Sequence, residues 1–146
     1  MLIGSEDPEC DPLEWVDDPD NYNKNFTNQW TTMVMREAQR VQGLPIPNQM
    51  QGVVDLYDCT DDWIPIYDKS DLPGYYMAVG TSGNQYKNAP VVGKMMSELI
   101  EACEEGLDHN QQPFQFHLTY IDRSFNVGFY SRLREINPDS SFSVIG

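Results

Sequence analysis

The chain has 146 residues, 40% of them hydrophobic and 22% charged, and a formal net charge of −14 at pH 7. That length supports one core of ordinary size, and that composition belongs to folded rather than disordered chains. Nine Lys and Arg against 23 Asp and Glu exclude a nucleic-acid binder working by phosphate neutralisation, and no apolar run approaches the roughly 20 residues of a membrane-spanning helix.

The first residues, Met1-Leu2-Ile3-Gly4-Ser5-Glu6-Asp7, have no basic region and too short an apolar run for a secretory signal, so a cytoplasmic chain is expected. Cys10, Cys59 and Cys103 are odd in number and far apart, with no CxxC. They read as buried free thiols in a reducing compartment rather than a disulfide framework or zinc site. Without a signal, the sequon Asn25-Phe26-Thr27 is read as coincidence. Residues 1–26 form an acidic connector rich in Asp, Pro and Asn, with Leu2-Ile3 fitting the end of a strand. From Thr27 the pattern is helical: Trp30, Met33, Val34, Ala38 and Val41 share a face. Thr27 is the N-cap, Arg36 and Arg40 sit late, and Gly43 with Pro45 ends the helix.

Gly52–Asp58 reads as a strand, followed by a turn at Asp61-Asp62 and an edge strand, because Pro65 cannot donate a ladder hydrogen bond. Pro73-Gly74 is a turn, and Tyr75–Val79 is a short, nearly all-apolar strand of the kind buried on both faces. The loop from Gly80 to Asn88 feeds a helix with Pro90 near its first position and Val91, Val92, Met95, Met96, Leu99, Ile100 and Cys103 on a wide apolar face. Gly106 is its C′ residue. Phe114, Phe116 and Leu118 alternate as in a strand, Tyr130–Arg134 is the densest basic patch, and Ser140–Gly146 is apolar enough to dock. The fold class is α/β, of the mixed α+β kind, with no internal repeat.

A strand that ends in Gly80-x-x-Gly83 and feeds a helix aims backbone N–H groups at an anion or an electron-rich carbonyl. Such a loop also serves simply as a tight turn with positive φ. Lys87, just before the helix, opposes the positive end of the dipole and so points to a ligand carrying a carboxylate or phosphate. Asn84, Gln85 and Asn88 crowd the turn with amides, and Tyr86 adds an aromatic flank. The Walker and Rossmann spacings are absent. His109 and His117 lack a third metal ligand. Asp61-Asp62 fits a turn, Arg132 and Arg134 on a strand would share one face and pair with the acids, and Trp63 fits either a substrate pocket or the core.

Gly80-Thr81-Ser82-Gly83-Asn84-Gln85-Tyr86-Lys87, between an apolar strand and a helix containing Gly93, resembles the C-terminal flavin-binding segment of the D-amino-acid oxidase/sarcosine oxidase superfamily. Upstream, Tyr57-Asp58-Cys59-Thr60-Asp61-Asp62-Trp63-Ile64-Pro65-Ile66-Tyr67-Asp68 resembles that family's Thr-Pro-Asp-x-x-Pro segment at its usual separation from the loop. The resemblance covers about residues 52–105. The family's His-Gly is Asn84-Gln85 here, and the Pro of Thr-Pro-Asp is Asp61.

The resemblance implies an FAD-dependent oxidoreductase that oxidises a C–N bond of an amine or amino acid by hydride transfer to flavin N5. Residues 27–70 would end a substrate-binding domain, residues 71–106 would be the last β-α unit of an FAD-binding domain, and residues 107–146 a C-terminal extension. Gly80, Thr81, Ser82, Gly83, Asn84, Gln85, Tyr86 and Lys87 would bind the cofactor, with the Gly83–Tyr86 amides facing the flavin N1/C2 carbonyl edge. Lys87 would hold the substrate carboxylate, Tyr57 would line the substrate side of the site, and Trp63 would be a pocket aromatic. The position of the family's flavin-tethering cysteine falls near Asp55, so FAD would be non-covalent. No Gly-x-Gly-x-x-Gly and no ribose-binding acid is present. The chain is therefore expected to be part of a longer enzyme, or a subunit needing a partner, and inactive in isolation. The alternative is a non-catalytic α/β binding or assembly domain that docks a flavoprotein.

Overall fold

Helix α1 (Asn28–Gln39) starts where Thr27, in extended backbone, accepts the Trp30 N–H on its hydroxyl at 3.0 Å. This satisfies one of the donors that a helix start leaves open. Arg40 caps the other end, and Gly43 leaves the helix at φ +78°. The computed structural model describes Ile3 and residues 14–142, and the chain divides into two compact units, residues 1–56 and 57–146. The strand end read at Leu2-Ile3, most of the acidic connector, Cys10 and the last four residues of the C-terminal apolar run lie outside the described residues, apart from Ile3 itself.

In the first unit α1 is the regular element among the described residues. Met33 and Ala38 are buried. Phe26 stacks on Trp30 with ring centroids 4.3 Å apart, and a Cβ at Gly52 would come within 3.0 Å of the Trp30 ring. The strand expected at Gly52–Asp58 does not form. Val53, within that stretch, is 83% exposed. A strand needs a neighbour for its ladder, and among the described residues no strand pairs with this segment, which is tied by isolated bonds such as the Tyr22 hydroxyl donating to Asp55 at 3.1 Å.

The second unit opens with a turn over Thr60–Trp63, closed by Trp63 N–H donating to Thr60 C=O at 3.1 Å. Strand β1 (Ile66–Lys69) follows Pro65 and pairs antiparallel with β2 (Tyr76–Val79), Ile66 opposite Val79 and Lys69 opposite Tyr76. The hairpin turns at Pro73-Gly74, with Tyr75 N–H donating to Leu72 C=O at 3.1 Å. A domain break at 70/71 would therefore fall inside a paired hairpin. The expected two-sided burial of β2 is also corrected, since Ala78 and Val79 are exposed. A strand with one partner in a two-stranded sheet leaves a face and an edge open.

Helix α2 (Ala89–Glu104) carries Pro90 in its first turn, where a missing N–H costs nothing. It ends in a Schellman arrangement: Gly106, at φ +108°, donates to Cys103 C=O at 3.0 Å, and Leu107 donates to Ala102 C=O at 2.9 Å. Met95, Met96 and Leu99 of its apolar face join Tyr67, Phe116 and Val127 in one core. Strands β3 (Gln115–Leu118) and β4 (Arg123–Asn126) form a second antiparallel hairpin, followed by a 3₁₀ turn over Val127–Tyr130. The architecture is α+β, with two helices and two small antiparallel sheets among the described residues.

Arg132 and Arg134 do not lie on a strand; they follow the 3₁₀ turn and pair with acids as expected. Arg134 meets buried Asp62 at 2.6 Å, and Arg132 meets buried Asp68 at 3.1 Å. Asp62 also accepts N–H groups from Ile64 at 3.1 Å and Asn137 at 3.2 Å. Burial pushes its carboxyl up, but Arg134 and these donors outweigh burial and bring the pKa down from 3.8 to about 2.

Leu99 is fully buried, so Leu99→Ala should lower unfolding free energy by about 2–5 kcal/mol in urea titration. An unchanged midpoint would mean that the core lies elsewhere. The native carboxyl of Asp62 has the lower pKa, so its contribution to stability is complete above 3.8 and fades as pH falls towards about 2. Asp62→Asn should flatten acid unfolding over that window. An unaltered acid limb would contradict the ion pair.

Candidate functional site

The loop after β2 is shaped by three residues in the left-handed region, Gly80 at φ +71°, Ser82 at +50° and Gly83 at +75°. Glycine tolerates that region without cost, whereas serine does not. Side-chain space adds a second requirement for glycine. A Cβ at Gly80 would collide with the Thr60 methyl, and one at Gly83 would lie 2.6 Å from the Tyr57 ring.

Asp58 organises the first half of the loop. Its carboxylate accepts the Gly80 N–H at 2.8 Å, the Thr81 N–H at 3.0 Å and the Thr81 hydroxyl, while its backbone C=O accepts the Ser82 N–H at 3.2 Å. Burial raises the Asp58 pKa, but the Thr81 and Gly80 hydrogen bonds prevail and hold it below 3.8. The sequence reading aimed these N–H groups outward at a ligand. That is corrected for Gly80, Thr81 and Ser82, whose N–H groups are held within the chain, and the Ser82 side chain is buried.

The second half of the loop is held by side chains and remains presented. The Tyr67 hydroxyl donates to Gln85 Oε1 at 3.0 Å, and the Asn88 amide donates to the same oxygen at 3.0 Å. Burial pushes the Tyr67 pKa up to about 12, so it stays a donor. Asn84 turns the chain by donating its N–H to Thr81 C=O at 3.2 Å. Tyr86 and Lys87 lie in a 3₁₀ turn over Tyr86–Asn88 that leads into α2. Tyr86 is 97% exposed, and Lys87 is exposed and makes no ion pair among the described residues. The start of α2 has no side-chain cap and no acidic residue in its first turn, so no acid of that turn neutralises the positive end of its dipole, to which Lys87 adds.

Tyr57 sits with its ring against Gly83 and is 59% exposed. Tyr57 and the loop are thus in contact. Trp63 is not presented: its side chain is buried, at φ +59°, a conformation that costs a bulky residue energy and persists only where surroundings enforce it. Core packing is the outcome for Trp63. Clefts of about 520 Å³ at Phe26–Met50 and about 290 Å³ at Lys69–Leu107 contain none of residues 80–88. Among the described residues no group of three His, Cys, Asp or Glu could hold a metal ion.

The sequence reading missed Asp58 as the residue that holds the loop, and Tyr67 as the donor to Gln85. Both lie in the segment already singled out, but pattern alone does not reveal a partner 22 residues away. No family model, curated protein or solved structure matches the chain.

Asp58→Asn removes the charge from bonds that two backbone donors share. Such charge-assisted bonds contribute about 1.5–3 kcal/mol. Amide exchange at Gly80 and Thr81 should accelerate by about tenfold or more, with the Leu99 amide unaffected. Equal protection in both proteins would remove Asp58 from this role.

Proposed function

We propose that the chain supplies the ring-edge and substrate-carboxylate side of an FAD-dependent oxidoreductase of the D-amino-acid oxidase/sarcosine oxidase type, acting on a C–N bond of an amine or amino acid. One observation carries this reading: the two segments on which the resemblance rests are joined in space. Tyr57 lies on Gly83, Asp58 holds Gly80 and Thr81, Thr60 fills the space beside Gly80, and Tyr67 binds Gln85. Nothing in their sequence separation alone demands these contacts.

The residues fit one edge of an isoalloxazine ring and not the rest of FAD. Asp58 consumes the donors at Gly80 and Thr81, and the Ala89 N–H is bound to Tyr86 C=O, which leaves the later half of the loop and the positive end of α2 to meet an electron-rich carbonyl. The described residues contain no glycine-rich dinucleotide turn for the ADP portion, which a longer chain or a partner subunit would house. A bound flavin would supply the two-electron acceptor. This chain's own residues then have separable duties. The loop and helix end provide preorganised positive potential, which counts most where negative charge develops during reaction. Lys87 holds the substrate carboxylate by a charge-assisted bond. Tyr57, braced by Gly83, lines the substrate side and excludes water.

A second reading is a non-catalytic assembly module that docks a flavoprotein. The exposed apolar residues Val79, Tyr86 and Val91 around the same loop favour it, since a contact surface of that composition suits a protein partner.

The protein in which this segment accompanies a dinucleotide-binding half should purify with about one flavin per chain. There, Lys87→Ala should raise KM for a carboxylate-bearing amine by about tenfold or more, the loss of one charged hydrogen bond, and leave the flavin spectrum unchanged. A colourless protein would overturn the flavin assignment. Unchanged KM with flavin present would remove Lys87 alone.

A further inference from the structure

His109 lies in the connection between α2 and β3, with its side chain fully enclosed. Its Nδ1 accepts the Phe114 N–H at 2.9 Å. A ring nitrogen that accepts a hydrogen bond carries no proton, so the neutral ring holds its proton on Nε2. Among the described residues that atom has no hydrogen-bond partner, and it lies 3.6 Å from Asp68 Oδ1. Asp68 is already engaged: Oδ1 accepts the Lys69 N–H at 2.7 Å, and Oδ2 accepts the Ser131 hydroxyl at 3.0 Å, the Arg132 N–H at 2.8 Å and the Arg132 guanidinium at 3.1 Å.

We propose that His109 is an acid-released latch, in which protonation at Nδ1 breaks the bond to Phe114 and releases the Phe114 N–H at the start of β3, while Asn110, Gln111 and Gln112 stay tied to Asp108 and Arg132. The geometry leaves no alternative acceptor on the ring. A second proton must go to Nδ1, where it would face the Phe114 N–H donor. The bond is lost by chemistry rather than weakened by charge. Residue 114 is a consequential place for this, because Phe114 C=O accepts the N–H of fully buried Val127 at 2.9 Å.

The charges facing the ring come from several elements. Asp68 and Lys69 belong to β1, Asp108 precedes the ring, and Arg132 follows the 3₁₀ turn at Val127–Tyr130. Burial is the largest influence and favours the neutral ring. Asp68 and Asp108 favour the charged ring, Lys69 and Arg132 oppose it, and the balance places the folded pKa below 6.5. The unfolded chain therefore takes up the proton first as pH falls. The latch contributes fully above pH 6.5 and is lost progressively below it, down to the folded value.

The test is amide exchange at Phe114 together with the ring ¹⁵N shifts of His109, followed from about pH 7.5 to about pH 4.5, a range that brackets histidine titration. Expected are an Nε2–H tautomer at the upper end and, after correction for intrinsic rates, at least about tenfold loss of Phe114 protection at the lower end, the opening expected for a bond of about 1.4 kcal/mol. In His109→Asn, whose amide oxygen stands where Nδ1 stood, Phe114 protection should be independent of pH. A proton on Nδ1 at the upper end, or constant wild-type protection throughout, would overturn the latch. So would the same pH dependence in His109→Asn. Should that variant fail to fold, the wild-type tautomer and the Phe114 profile decide the matter.

Discussion

The carboxylate of Asp58 is the constraint on which the site depends. By accepting two successive backbone N–H groups and a hydroxyl from Gly80 and Thr81, it fixes where the chain leaves β2. The tight approach then dictates the other residues. Thr60 and Tyr57 close on the loop so nearly that Gly80 and Gly83 have no space for a Cβ. With the first half of the loop closed this way, the second half, from Gly83 to Asn88, is what the molecule offers outward. A ligand on this loop would be met by the later amides, the start of α2 and Lys87.

The same use of aspartate recurs twice in the next ten residues. Asp62 and Asp68 are buried, each accepts backbone N–H groups, and each is paired with an arginine from the segment after β4. Removing one partner of such a pair leaves an uncompensated buried charge and costs several kcal/mol. In a chain with 23 acids and nine Lys and Arg, two of the five arginines are thus committed to holding residues 131–137 against residues 60–71. The surface charge serves a different end, since exposed acids far from a partner add little to fold.

Much of the local structure was legible in the sequence because its causes are local. The Thr27 cap, the turn at Pro73-Gly74, the strand after Pro65, the face of α2 and the Gly106 terminus all follow from residue chemistry within a few positions. The strand read at Gly52–Asp58 was not realised, and the two-sided burial of β2 was not either, because both require neighbouring strands that pattern cannot supply. Within the candidate site, the loop, Tyr57 and Lys87 could be named from spacing and resemblance. The occupation of the Gly80 and Thr81 donors could not, because Asp58 reads equally well as an exposed turn residue. Trp63 is buried at positive φ, which a bulky residue's type does not announce.

The loop is divided: Asp58 holds the half at Gly80 and Thr81, and the half from Gly83 to Lys87 is the one proposed to serve a flavin ring edge. Titrating the ¹⁵N-labelled chain with free flavin tests this most directly, since weak binding suffices for chemical-shift mapping. The amides of Gly83, Gln85, Tyr86 and Lys87 should shift together in a saturable manner, while those of Gly80 and Thr81 remain in place. Shifts centred on Gly80 and Thr81, or none across the loop at saturating flavin, would contradict the account.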